Sequence, residues 1–535
     1  MWLSLCSAQA ALSPFRALWA LCRCLGKCRD VTPAASVEAL GRRWQTVLAA
    51  VTIFAVAFTA RLYPMLRGGG LYGLGNYDDG VYYAAAAMLT EGRLPYRDYL
   101  LLQPPSIAIL LAPFAAIGSI LGDPIGLLVG RLAWMALGAV NALLVGLLLL
   151  PVSRRAALLG GATYAVFFPA VYSEHTVLLE APATTALLIS LLLCRPTGRS
   201  PRPGLVRLAL AGAILGAAAS IKIWGVVPVL VIVVWLVVTH SLRGALLYLG
   251  AAAAACAAIC LPFFLAAPAR MWRMVVTAQL GRDRSSTPLL ERMIDIGGLS
   301  LWGNASLSPY VAVLLVIGVV CVGATLIFEP TRLFALLLVA LVATLMLTPT
   351  WFLHYSGLAA APAALVIGGG AHVLISKLVG LTGGRVWVGP SLSLVVLLLL
   401  AVHASPLLKE SMSRAFPGAQ LGRALAGLRG CVATDDPTTL IEMNLLRRNV
   451  ERGCPLQIDL GGNNYVLPHP GKQLVSRANN PYFQRFFLHF FRSHQAVIIV
   501  NYREGRDLSA QTARIYKSWP DLVRIGSDVV KIPQP

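Results

Sequence analysis

At 535 residues, with 57% hydrophobic and 13% charged side chains and a mean hydropathy of +0.72, the chain is too apolar for an ordinary soluble enzyme. Its formal charge of +21 would suit nucleic acid, but the bases are dispersed: residues 1–404 hold 27 Lys/Arg against 13 Asp/Glu, many of them in short connections between apolar runs. That distribution fits topology determinants and lipid headgroup contacts better than a nucleic-acid stripe, so membrane lipids rather than nucleic acid are the expected partners.

Residues 1–45 form a leader carrying Cys6, Cys22, Cys24 and Cys28. The run CRCLGKC lacks the matching second half of a metal site, so free thiols are the reading there. Arg42 and Arg43 directly precede the apolar run 46–60, which puts the N-terminus in the cytoplasm and the following loop, 64–124, outside. The short apolar stretch 106–121 is read as re-entrant or interfacial. With that choice 125–151 returns inward and delivers Arg154 and Arg155 to the cytoplasm, as 177–194 delivers the arginine-rich segment 195–207. The same accounting carries through 404 and gives about 11 membrane helices over 46–404. It gathers Asp78, Asp79, Arg97, Asp98, Glu174, His175, Lys222, Arg282, Arg284, His354 and Tyr355 on the external side. A transporter would place its polar groups near the midplane on broken helices of repeated halves, and no such repeat is visible.

After residue 404 the composition turns polar, and 405–535 reads as a small soluble α/β domain outside the membrane. Strands are expected at 431–434, 455–459 and 496–501, with helices at 416–428, 438–451, 481–493 and 508–518. Cys431 and Cys454 would meet an oxidising compartment, where they form either a disulfide or two buried thiols.

The densest chemistry lies in 74–105, GLGNYDDGVYYAAAAMLTEGRLPYRDYLLLQPP. Ionisable groups clustered at a membrane edge are costly to desolvate and point to a site. The acidic pair Asp78-Asp79, the aromatics Tyr82-Tyr83 and Gln103-Pro104-Pro105 before a short apolar stretch resemble the GT-C glycosyltransferases. Protein O-mannosyltransferases and aminoarabinose lipid A transferases are the groups it is most similar to. Two positions depart from that pattern: the second acid is Asp rather than Glu, and Gln103 stands where a basic or imidazole residue is common. The resemblance implies a polytopic helical membrane enzyme of the inner membrane, a polyprenyl-phosphate sugar donor, inverting transfer to an extracytoplasmic glycan, lipid or protein, and no required divalent metal.

Within that frame Asp78 is the expected general base, and Asp79 holds the acceptor or orients basic groups. Alternatively, one of the two carboxylates only caps a helix over 80–91. Lys222, Arg282 and Arg284 are the cations expected to receive charge on the leaving phosphate, with His354 and Tyr355 as hydrogen-bond donors. Tyr82, Tyr83, Arg97, Asp98 and Gln103 complete the expected donor- and substrate-binding set. A lipid-linked sugar flippase and a non-catalytic envelope-assembly protein are the competing readings.

Overall fold

The structure is a computed structural model that describes residues 33–196, 203–282, 286–300, 308–470 and 474–534. The four leader cysteines and Arg284 lie outside the described residues. The chain divides into two compact units, 1–52 and 53–535. In the first, the described residues are helical, the start of helix Pro33–Arg67. The second holds both the membrane helices and the C-terminal sheet.

Among the described residues seven helices are long and apolar enough to cross a bilayer: Trp44–Arg67, Asp123–Leu149, Leu242–Ala266, Pro309–Ile327, Glu329–Leu347, Leu353–Leu381 and Val388–Leu408. Helices suit this solvent because they satisfy every backbone polar group internally. Arg154–Val166 and Phe168–Glu174 are apolar enough together and bent by 53° at the break, the form of a broken span or of a re-entrant pair. Pro169 explains the bend, since it has no N–H to give the carbonyl of Ala165. The guanidinium of Arg61 takes that place, donating to Ala165 O at 3.1 Å and gripping Glu174 at 2.9 and 2.5 Å. Asn141 and Tyr164 also donate to Glu174, at 2.9 and 2.7 Å. Four shorter apolar helices remain: Ser106–Leu121, Glu180–Leu193, Leu205–Ala219 and Ile223–Thr239. The expected eleven spans are reached only if the bent pair and three of these four cross.

The loop 64–124 is organised by helix Tyr77–Thr90. Its N-cap is Asn76, whose side chain accepts from the Asp78 N–H at 3.0 Å. The cap is therefore an amide, not one of the carboxylates, and the helix starts three residues earlier than expected. Both aspartates are thereby left in its first turn, where the helix dipole favours negative charge.

The C-terminal region carries a four-stranded sheet in the order β1-β2-β4-β3, with β1 Val432–Thr434, β2 Ala496–Ile498, β3 Asp521–Ile525 and β4 Asp528–Lys531. β1 and β2 are parallel, with Val432 opposite Ala496, and the other pairs are antiparallel. The segment 455–459 is irregular, ending in a turn at 458–459, rather than strand. The β3–β4 hairpin, closed around Gly526 at φ +61°, was not expected from the sequence. Phe483, Phe487, Phe491 and Trp519 fill the core beneath the sheet. Cys431, just before β1, is disulfide-bonded to Cys454.

This region is packed onto the loop 64–124. Helix Pro437–Glu442 lies against helix Tyr77–Thr90 so closely that a Cβ on Gly80 would stand 2.5 Å from the backbone nitrogen of Thr438. Val432, Leu440 and Ile441 share one apolar core with Val81, Ala84 and Ala85.

Candidate active site

The two adjacent aspartates have opposite fates. Asp79 is fully buried and accepts from Arg131 Nε and Nη2 at 3.1 and 2.7 Å, from Thr176, and from Thr438 at 3.3 Å. Arg131 also donates to the carbonyls of Leu71 and Gly73 at 2.5 and 3.0 Å and lies 3.6 Å from Glu442. The pair thus ties the loop, a membrane helix and the C-terminal region together. A buried charge is tolerable when every lone pair is met in this way.

Asp78 points into a cavity of about 480 Å³ between the loop, the ends of membrane helices and the C-terminal region. About a third of its side chain is accessible. Its Oδ2 is 3.5 Å from the Tyr82 hydroxyl and 3.9 Å from His354 Nε2. Burial in the recess, reinforced by the charge of Asp459 and opposed by Arg282, pushes its carboxyl up to about 7.

Of the residues singled out in the sequence, Asp78, Tyr82, Gln103, Arg282, His354 and Tyr355 all line this cavity. Arg282 Nη1 donates to the Tyr355 hydroxyl at 3.0 Å, its guanidinium lies 4.8 Å from the Tyr465 ring, and its Nε has no partner among the described residues. The others stand elsewhere. Tyr83 is turned away and donates to Asp123 at 3.1 Å. Lys222 is buried in an ion pair with Glu180 at 2.6 Å, its ammonium 4.2 Å from the Tyr355 ring. It therefore backs the cavity wall rather than lining it. Arg97 and Asp98 pair with each other at 2.8 Å near the surface. Asp98 also accepts the Leu94 N–H at 2.7 Å, closing a turn in which buried Tyr96 adopts φ +67°. Holding a bulky residue there costs about 1–3 kcal/mol. The Tyr96 hydroxyl, 2.7 Å from Gln103 O, fixes the approach to Pro104-Pro105.

The C-terminal region supplies cavity residues that the sequence reading did not single out: Asp459, Tyr465, Arg477, Asn501 and Tyr502. Asp459 Oδ1 accepts from Tyr77 and from the Gly462 N–H, at 3.2 and 2.7 Å. The loop bearing Asn501 and Tyr502 is held by Asp435, which accepts the N–H groups of Val500, Asn501 and Tyr502 at 2.7–2.8 Å. The local signals are DLGGNNY (459–465) and NYREGRD (501–507), carboxylates and amides around glycines. Among the described residues no three His, Cys, Asp or Glu side chains gather as a metal-ligand set.

A multi-span helical domain whose first long loop presents a carboxylate beneath a small α/β region is a fold that this chain shares with solved membrane proteins. ArnT from Cupriavidus metallidurans, in the apo state, superposes with a TM-score of 0.61 at 15% identity, over 92% of this chain and 100% of ArnT. Its complex with undecaprenyl phosphate gives 0.59 at 15% identity, over 92% and 99%. The archaeal oligosaccharyltransferase AglB from Archaeoglobus fulgidus, in complex with an inhibitory peptide and a dolichol-phosphate, gives 0.53 at 13% identity, over 86% of this chain and 69% of AglB. No protein-family model and no curated protein sequence matches the chain.

Proposed function

We propose that the protein is a GT-C glycosyltransferase that moves a monosaccharide from a polyprenyl-phosphate donor to an extracytoplasmic acceptor with inversion, using Asp78 as general base. The observation that carries this reading is the cavity itself. It contains a carboxylate poised near neutrality, and across the recess a guanidinium with an unpartnered N–H. The likeness to ArnT bound to undecaprenyl phosphate and to AglB bound to dolichol-phosphate supports the choice of donor class.

In the reaction an acceptor hydroxyl gives its proton to Asp78 as its oxygen bonds to the anomeric carbon. The bond from that carbon to the phosphate oxygen breaks on the opposite face, and its electron pair stays with the lipid phosphate. Arg282 is the cation that meets this charge, held in place by Tyr355 and Tyr465. Lys222 and Glu180 act from behind, fixing Tyr355. Asp79 is a positioning residue that locks the helix turn from which Asp78 projects. The membrane is the plasma membrane, with the cavity on its outer side.

The test uses the full chain in nanodiscs with a panel of polyprenyl-phosphate sugars, following donor consumption and product mass. Loss of a general base costs a factor of ~10²–10⁴ in rate, so Asp78→Asn should fall by that amount while folding normally. Near-parental transfer by well-folded Asp78→Asn would remove Asp78 as the base. No consumption of any donor by the parent protein would hand the case to the flippase or assembly readings.

A further inference from the structure

The side of the cavity built by the C-terminal region carries polar groups that the transfer step above does not use. Asp459 spends Oδ1 on Tyr77 and Gly462, and no described residue donates to its Oδ2. Tyr502 is 6% exposed and its hydroxyl has no hydrogen-bond partner among the described residues. A desolvated orphan hydroxyl costs about 1–3 kcal/mol, which an incoming hydrogen-bonding group would return. The two groups are brought together by the Gly461-Gly462 turn. A Cβ on Gly461 would stand 2.6 Å from Arg477 Nη1 and 3.2 Å from the Tyr502 hydroxyl, and one on Gly462 would collide with Asp459 Oδ2.

Charge and stacking narrow the ligand. Arg477 is committed to Asp507 at 2.5 Å and covers the Tyr502 ring at 5.2 Å. Arg282 covers the Tyr465 ring. Both aromatic faces that would attract a cation are thus already occupied by one. Asp459 disfavours an anion beside it. Besides Asn501, which donates to Asp436, and the exposed Arg506, this side offers a carboxylate oxygen and a phenol, the pairing suited to neutral hydroxyl groups.

We propose that the C-terminal region forms an acceptor subsite for a neutral sugar residue, in which Asp459 and Tyr502 hold hydroxyls of the ring whose reacting hydroxyl faces Asp78. This rests on the transferase reading and names its acceptor class as a glycan rather than a peptide or an anionic lipid headgroup.

The test measures binding to the full chain in nanodiscs by saturation-transfer NMR. The probes are three neutral disaccharides (mannobiose, galactobiose and arabinobiose), an unglycosylated Ser/Thr-rich peptide and, for the donor side, undecaprenyl phosphate. At least one disaccharide should bind and the peptide should not. Asp459→Asn and Tyr502→Phe should each weaken disaccharide binding about tenfold and leave undecaprenyl-phosphate binding unchanged. The inference is overturned if no disaccharide binds, if the peptide binds in its place, or if Tyr502→Phe and Asp459→Asn both bind like the parent. Failure of the transferase reading appears separately, as no donor consumption by the parent, and disaccharide binding that both variants weaken still supports the subsite in that case.

Discussion

Asp78 and Asp79 are neighbours in sequence, yet one is a half-buried acid lining a recess and the other a fully buried strut. Asp78 is raised to about 7, above its ordinary value near 3.8. A base works only when ionised, so the transfer rate at low donor concentration should rise with pH through about 7 and level off above it. Asp78→Asn should remove both the rate and that limb. The stability sign is opposite to that of a salt-bridged acid. Between pH 4 and 7 the folded state holds a proton that the unfolded state has released, so folding weakens as pH rises across that window. At pH 8 Asp78→Asn should therefore melt no lower than the parent. Arg131→Met should behave differently, because it strands Asp79 as an uncompensated buried charge at a cost of about 3–5 kcal/mol. A melting temperature unchanged by Arg131→Met would show that the pair is not the strut described here. Asp78 and Asp79 were legible in the sequence as a pair, through their place before paired tyrosines and Pro-Pro. Their division of labour was not, since it depends on Arg131, Thr176 and Thr438, and Thr438 lies 359 residues from Asp79.

The helix Tyr77–Thr90 is positioned by contact with helix Pro437–Glu442, and Gly80 is the residue that permits the approach. Gly80→Ala overpacks this seam, with an expected cost of about 1–3 kcal/mol. Gly250, inside helix Leu242–Ala266, has nothing within 4 Å of a built Cβ. Gly250→Ala is therefore the control, expected to be neutral or slightly stabilising. Limited proteolysis at the polar C-terminal region reads the difference: Gly80→Ala should be cut faster than parent and Gly250→Ala should not. Equal rates would mean that the seam tolerates the methyl. At this scale the sequence was read well where a pattern is local. Apolar length announced the long spans, and short strand-like runs announced β1 and β2. It was read poorly where tertiary contact decides. The segment 455–459 alternates like a strand, but its Asp459 is drawn aside by Tyr77 and Gly462. The hairpin 521–531 is too short and too charged to stand out, and it forms because β2 offers β4 a partner. Lys222 looked like a free cation at a membrane edge, because nothing in the local sequence shows that Glu180, 42 residues earlier, claims it.

For the whole molecule, we propose from helix lengths and charges together that the cavity opens on the outer side of the membrane. Leu353–Leu381 spans 29 residues. At 1.5 Å per residue that is roughly 43 Å, more than the ~30 Å hydrocarbon core, so its two ends emerge on opposite faces. His354, at its start, lines the cavity, so the loop around Val386 lies on the far side. The Arg154-Arg155 turn belongs to that far side as well, since Ser153 lies 3.0 Å from His372 Nδ1 and a Cβ on Gly389 would press on Arg155. Lys377, Arg385, Arg154 and Arg155 thus share one face, which under the positive-inside rule is proposed to be cytoplasmic. Single cysteines at Arg93, Glu504 and Val386 test this, all three positions being exposed. A membrane-impermeant maleimide applied to intact cells should label Arg93→Cys and Glu504→Cys above the parent background. It should label Val386→Cys only after the membrane is opened. Labelling of Val386→Cys from outside, with Arg93→Cys protected, would invert the chain and place the cavity in the cytoplasm, where a donor displayed on the outer leaflet could not reach Asp78.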